Sequence, residues 1–199
     1  MCIRDSININ AEELVKELWT EKYRPKDIDG YVFRDQAQKE QVATWIQEKT
    51  IPHLLFSGAP GVGKTTLAKI LIHQIEIDEY DVLEINASRE NSVDTIREKI
   101  SGFVQTMPFG EFKIVLLDEA DYISPNGQAA LRGVMETYHA SARFILTCNY
   151  KNRLIEPLHS RCSVIDFIIP KSQKPILAQE FNKSVINILN EENIKFEPK

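Results

Sequence analysis

Cysteine is scarce in this 199-residue chain, and the three that occur, Cys2, Cys148 and Cys162, lie far apart. There is no C-x-x-C pair, which speaks against a zinc ribbon, and an odd number of widely spaced thiols speaks against a disulfide framework. A reducing, cytosolic setting fits that usage. Histidine is equally thin: His53, His73, His139 and His159 are scattered and read as structural or surface residues. No run of 18 or more apolar residues is present, so the sequence offers no membrane span, and it shows no signal peptide. An excess of positive charge is also missing. A net charge of −5 argues against a protein coated in nucleic acid and leaves room only for a local basic face. Repeats and low-complexity segments are absent. What remains, 43% hydrophobic and 27% charged residues, is the balance of an ordinary globular protein, long enough for one full domain and part of a second.

The most informative stretch is "SGAPGVGKTT", residues 57–66. Gly58, Gly61, Gly63, Lys64 and Thr65 fit G-x-x-x-x-G-K-[ST]. Glycines let a backbone curl until successive N–H groups point at one anion. Lys64 adds a point charge for the outer phosphates of a nucleotide, and the Thr65 hydroxyl suits Mg²⁺. "HLLFSG" before the loop reads as a buried strand and "KTTLAKILIHQI" after it as a helix, whose N-terminus then faces the phosphates.

Along the chain, 36–49 puts Val42, Trp45 and Ile46 on one helical face, with Trp45 read as core. Strands are expected at 53–57, 81–86, from 112 to the acidic "DEAD", at 143–149 and at 163–169. Helices are expected at 64–75, 92–105 and 124–138, with Ser92 as an N-cap and Pro125 in a first turn. Strands alternating with helices mean an α/β fold, a five-stranded parallel sheet flanked by helices, with functional residues at the carboxyl ends of the strands. After Pro170 the apolar residues of "PILAQEFNKSVINILNEE" recur at helical spacing, as in the first helix of a further, helical domain. The opening "MCIRDS" connects to nothing later and reads as an assembly or read-through scar. The boundaries expected are therefore an extension or scar at 1–18, a P-loop domain at 19–170 and the start of a helical lid at 171–199, with the chain a piece at both ends.

Asp118 ends an apolar strand and is followed by Glu119. A carboxylate there can hold Mg²⁺ through water, and the next can orient or deprotonate an attacking water. A second acid beside the metal-holding one suits hydrolysis more than transfer to a substrate hydroxyl. Asn149 reads either as a γ-phosphate sensor that also holds that water, or as a turn cap. Arg161, in "NRLIEPLHSRC", stands on a rim, where an arginine can serve a neighbour's pocket rather than its own; the S-R-C tripeptide alone decides nothing.

Five segments stand in order: "LWTEKYRPK" (18–26), "SGAPGVGKTT", "LLDEADYIS" (116–124), "QAALRGVME" (128–136) and "ARFILTCNYKNRLIEPLHSRC" (142–162). Together they resemble the small subunits of sliding-clamp loaders of the AAA+ class, over 19–170. The resemblance implies roles at the matching positions. Tyr23, Arg24 and Pro25 would line the adenine pocket. Gly58, Ala59, Pro60, Gly61, Val62, Gly63, Lys64, Thr65 and Thr66 would wrap the phosphates of ATP. Thr65 and Asp118 would hold Mg²⁺, Glu119 the water, Asn149 would be the first sensor, and Arg161 a finger reaching in trans into the adjacent subunit's site. The implied activity is ATP hydrolysis that opens a sliding clamp and loads it onto primer–template DNA. The implied partners are other loader subunits in a ring-like hetero- or homo-oligomer, the clamp and the DNA, with no membrane. The implied location is the cytoplasm, a host cytoplasm for a virus, or the nucleus for a eukaryote.

The segment "NASRENSVDTIREK" (86–99) resembles the family's template-strand contact, implicating Arg89, Ser92 and Arg97. The family usually has Asp, Arg and Gly where this chain has Arg89, Asn91 and Ser92. Gly133 replaces a second arginine in "ALRGVME", at about 1 kcal/mol of helix propensity. The family's lid also carries a second sensor arginine, and its collar holds the ring together. A chain stopping inside the lid is expected to bind nucleotide weakly, assemble little and hydrolyse poorly. Three other readings stay open: a branch-migration or initiator motor, a loader subunit that binds ATP without hydrolysing it, and, least favoured, a metabolic kinase.

Overall fold

The computed structural model describes residues 18–90, 93–171 and 173–194. Its centre is a sheet of five parallel strands in the order β2-β3-β4-β1-β5. The strands are β1 (Leu54–Ser57), β2 (Val82–Asn86), β3 (Lys113–Asp118), β4 (Ala142–Cys148) and β5 (Ser163–Asp166). Successive side chains in a strand point to opposite faces, and the apolar runs are long enough to fill both. Leu54, Phe56, Ile114, Leu116, Ile145 and Ile165 face one core, with Val42 and Trp45 of α2 (Gln36–Gln47) and Leu67 and Leu71 of α3 (Lys64–Gln74). Leu55, Ile85, Val115, Leu117, Phe144 and Leu146 face the other core. That core is covered by α4 (Val93–Gln105), α5 (Pro125–Thr137) and α6 (Glu156–His159) through Ile100, Leu131, Met135 and Leu158. Burying each such Leu or Phe contributes roughly 1.5–3 kcal/mol, so the two apolar layers fix the register of the sheet.

Local signals fix the helix starts. Asp35 caps α2 by accepting from the Gln38 N–H at 2.8 Å, and Gln38 Oε1 accepts in return from the Arg34 N–H at 2.9 Å. The bond from the Gln38 N–H is the main reason the Asp35 carboxyl sits below its ordinary pKa, with the Arg34 side chain adding to it. Ser124 caps α5 through the Gly127 N–H, with Pro125 following it. The cap expected at Ser92 lies outside the described residues. The fifth strand is shorter than expected, ending at Asp166 rather than running to residue 169: the Phe167 N–H donates to the Ser57 carbonyl, but Ile168 and Ile169 are exposed and make no ladder. Two short helices carried no sequence expectation, α1 (Trp19–Lys22) and α6. The long α7 (Lys174–Glu191) has no buried residue and lies against the segment 29–36. Glu192, just past its end, accepts from Lys22 Nζ at 2.6 Å and Tyr23 Oη at 2.7 Å, tying the first described residues to the last. Among the described residues no helix is long and apolar enough to cross a membrane.

Candidate functional site

The strand order places the carboxyl ends of β3, β4 and β1 side by side, and each delivers part of one site. From β1 comes the glycine loop. Gly61 and Gly63 adopt φ of 79° and 90°, a region costly for residues with a Cβ. A side chain at Gly63 would also meet Tyr31 Oη at 2.8 Å, and that hydroxyl donates to the Gly63 carbonyl at 3.3 Å. Gly58 is small for another reason: a Cβ there would lie 2.8 Å from Cβ of Phe167. Gly63 is the N-cap of α3 and puts no side chain over the helix start, so the first backbone N–H groups of Lys64, Thr65 and Thr66 face outward.

Lys64 is 7% exposed. Its Nζ donates to the carbonyls of Gly58 at 2.7 Å and Ala59 at 2.8 Å, and to Oδ1 of Asn149 at 2.9 Å. Burial lowers its pKa, and the surrounding acids Asp118, Asp121 and Glu119 oppose that shift. Lys64 and Asn149, 85 residues apart, are therefore in direct contact.

From β3 come Asp118 and Glu119. Thr65 Oγ1 donates to Asp118 Oδ1 at 2.7 Å. The same oxygen accepts from Thr147 Oγ1 on β4 at 2.6 Å, and the Thr147 hydroxyl in turn accepts from the Glu119 N–H at 3.0 Å. Glu119 has φ 57°, ψ 42°, a left-handed conformation that costs about 1–2 kcal/mol for a residue with a side chain. Thr147 and the turn that follows, closed by the Tyr122 N–H on the Glu119 carbonyl, hold it there. A hydroxyl and a carboxylate this close, on a loop shaped for phosphate, fit Mg²⁺. That ion is held through one or two carboxylates, waters and phosphate oxygens rather than by a protein cage. Correspondingly, no cluster of three or more His, Cys, Asp or Glu able to hold a metal occurs among the described residues.

Three residues that sequence reasoning did not single out organise this site. Thr147, 1% exposed, links the two acids. Asp121, 6% exposed, accepts from the N–H groups of Asn149 and Tyr150, both at 3.3 Å, and so positions the loop that carries Asn149. Gln128 on α5 is buried with all its polar capacity directed at two loops. Its Nε2 donates to the carbonyls of Ile123 at 2.8 Å and Arg153 at 3.0 Å, and its Oε1 accepts from the Ile155 N–H at 2.8 Å. Asp121 carried a signal, the third acid of "DEAD". Thr147 and Gln128 carried none beyond being polar in apolar runs.

Beside the glycine loop lies a cleft of about 410 Å³, lined by Tyr31, Val32, Val62, Phe167, Leu177 and Phe181 among others. Its apolar walls and size suit a nucleobase. Tyr23, Arg24 and Pro25 are not among its lining residues. Tyr23 is instead bonded to Glu192, and Arg24 to Glu21 at 2.7 Å. Arg89 and Arg97 are both exposed; Arg89 follows β2 on the same sheet edge as Asp118, its neighbour Glu90 pairing with Lys99. Ser92 lies outside the described residues.

Arg161 is elsewhere. It stands two residues before Ser163, which pairs with Leu54 at the start of β1, whereas the glycine loop follows Ser57 at the other end. Four strand residues at ~3.3 Å each separate the two edges. Arg161 meets Glu136 of α5, and its Nε is buried without a hydrogen-bond partner.

A glycine loop of the phosphate-binding pattern, paired acids at the end of the adjacent strand but one and a polar side chain just past the strand between them define a P-loop ATPase-type domain of the α/β kind. The chain belongs to the "ATPase family associated with various cellular activities (AAA)", whose family model matches residues 54–170. Within curated proteins it is similar to the replication factor C small subunit of Archaeoglobus fulgidus, 43% identical over 183 residues, covering 90% of this chain and 55% of that protein. It is likewise similar to the replication factor C small subunit of Methanocella arvoryzae, 40% identical over 185 residues, covering 91% of this chain and 55% of that protein. The chain thus spans about half the length of the curated relatives it matches. Among solved structures, the Thermotoga maritima RuvB Holliday junction branch migration motor shares the fold, with a TM-score of 0.68 at 17% identity, covering 88% of this chain and 56% of that one.

Proposed function

We propose that this chain is the ATP-binding and ATP-hydrolysing part of a sliding-clamp loader subunit, acting on primer–template DNA within a ring of related subunits. The observation that carries this reading is the split between the two sheet edges. Lys64, Thr65, Asp118, Glu119 and Asn149 converge on one edge, while Arg161, the remaining cation expected at the transition state, stands on the other. An arginine on the far edge fits a neighbour's site. The 40–43% identity to replication factor C small subunits supports the clamp-loader assignment. The likeness to a branch-migration motor, at 17% identity, supports the fold alone.

In this reading the nucleobase enters the apolar cleft beside Val62, and the phosphates lie across the N-terminus of α3. Lys64 gives its ammonium to the outer phosphate oxygens and stays in touch with Asn149. Thr65 and Asp118 would hold Mg²⁺, which would supply neutralisation of charge on the phosphate oxygens. Glu119 accepts a proton from the attacking water as the water oxygen bonds to the γ-phosphorus and the bond to ADP breaks, releasing ADP and phosphate. Asn149 orients that water and reads the γ-phosphate. Arg161 acts on the equivalent phosphate of the adjacent subunit. Arg89 and Arg97, with the start of α4, face DNA phosphates. The unit 19–170 is the motor, residues 171–199 begin the lid, and 1–18 precede both. The location follows the replicating DNA, cytoplasm or nucleus.

Glu119→Gln tests the hydrolytic half directly. ATP affinity should stay within about twofold while kcat in the assembled complex falls at least about a hundredfold, the usual worth of a positioned base. Unchanged turnover would leave a nucleotide-binding subunit that does not hydrolyse.

A further inference from the structure

We propose that Glu136 is the positioning residue for the Arg161 guanidinium, holding it in the orientation in which it meets the neighbouring subunit's nucleotide. The inference rests on the reading of Arg161 as a finger acting in trans, and it adds to that reading the residue that aims the finger.

Arg161 has a long side chain, about one-third exposed, and an arginine with free rotamers is a poor finger. Reaching a transition state about 1 Å out of place costs on the order of a hundredfold in rate. Something must therefore fix the plane of the guanidinium. Its Nε is buried with no hydrogen-bond partner. Among the described residues, Glu136 supplies the one carboxylate within ion-pair distance, through Nη2. Glu136 is itself held: its Oε1 accepts from Nε of Arg132, one turn earlier on α5, at 3.0 Å. The carboxylate thus sits between two guanidiniums, and the trio carries a net positive charge, as a surface meeting phosphate requires. Both partners belong to the same sheet edge. Glu136 lies at the end of α5, six residues before β4 begins, and Arg161 lies just before β5. None of the three hydrogen-bonds or ion-pairs with the glycine loop, which lies at the other edge of the sheet from Arg161.

A residue that only stabilises α5 and one that aims Arg161 differ in a double-mutant cycle. In the assembled complex, kcat and nucleotide affinity would be measured for Arg161→Ala, Glu136→Gln, the double variant and Glu136→Asp. Arg161→Ala should lower kcat by at least a hundredfold, short of the ~10³–10⁵ reported for fingers in other phosphoryl-transfer systems. Glu136→Gln should lower it about ten- to a hundredfold, with nucleotide affinity unchanged within about twofold. The double variant should be no slower than Arg161→Ala alone, because both act through one group, and Glu136→Asp should recover part of the loss. Turnover unchanged or faster in Glu136→Gln overturns the proposal, since the carboxylate then does nothing or restrains the finger. A double variant slowed by the product of the two single effects also overturns it, because the loss is then structural. If Arg161→Ala alone leaves kcat unchanged, the finger reading has failed and the positioning role falls with it, a result recognisable before Glu136 is touched.

Discussion

Thr147→Val is the substitution whose consequences are most tightly constrained by the geometry. Valine keeps the β-branched shape at a position 1% exposed in a central strand, so packing is conserved and only the hydroxyl is lost. Two hydrogen bonds go with it: the donation to Asp118 Oδ1 at 2.6 Å and the acceptance from the Glu119 N–H at 3.0 Å. The first involves a charged acceptor and is worth roughly 1.5–3 kcal/mol, the second about 1 kcal/mol. The added methyl returns up to about 0.8 kcal/mol. The net loss is about 2–3 kcal/mol, or a fall in Tm of about 5–10 °C for a domain of this size. Function should suffer more than stability, because the Glu119 N–H would lose the acceptor that helps hold its left-handed conformation. Turnover should fall about a hundredfold with ATP affinity little changed, as expected for a catalytic group out of place. Thr147→Ser is the control. It keeps both hydrogen bonds and drops one methyl, so it should cost about 1 kcal/mol and leave turnover near normal. Calorimetry and steady-state hydrolysis on the pair decide the matter. Equal melting and equal turnover for the Val and Ser variants would refute the idea that this hydroxyl holds the two acids.

Three further outcomes follow from other parts of the molecule. Burial, with the cations Arg143, His139 and Arg161 nearby, pulls the His53 pKa down to about 4, and its Nδ1 accepts from the Phe144 N–H at 3.2 Å. A folded-state value below the unfolded ~6.5 means stability is intact above that pH and drains away as pH falls toward 4. Discounted for its partial exposure, the loss is about 1–2 kcal/mol; urea midpoints from pH 7 to 4 should show it in the parent and lose it in His53→Gln. Gly133 sits in α5 with open space around any added Cβ and no positive φ. Gly133→Ala should therefore stabilise by about 0.5–1 kcal/mol, and a lower Tm would mean the position is doing something the helix does not explain. Gln128→Leu leaves the carbonyls of Ile123 and Arg153 and the Ile155 N–H without partners. It should cost about 3 kcal/mol or more in chemical denaturation, far beyond an ordinary surface change.

The glycine loop was legible because all its residues are contiguous and their conformational demands are local. The strands were legible because a parallel sheet covered on both faces writes itself as apolar runs. The start of α5 could be read to within a residue from Pro125 for the same local reason. Contacts set by register between distant strands could not be read in this way. Thr147 matters because β4 lies next to β3 and brings its hydroxyl level with Asp118, which no spacing within "RFILTCN" reveals. Gln128 and Glu136 act across 25 residues of chain on partners fixed only by tertiary packing. The segment around Tyr23 illustrates the converse: its side chain is bonded to Glu192, 169 residues away, a contact that depends on where α7 comes to lie. The fifth strand ended early because its apolar residues beyond Phe167 have no partner strand to pair with.

The central claim is an ATP site shared between subunits and driven by DNA and clamp. It is tested most directly by steady-state ATP hydrolysis in the assembled complex, alone, with primer–template DNA, and with DNA plus sliding clamp, for the parent and for Arg161→Ala. The account predicts strong stimulation by the two additions together, abolished in Arg161→Ala while ATP binding by this chain persists. A rate indifferent to DNA and clamp, or an Arg161→Ala complex that hydrolyses as fast as the parent, would contradict it.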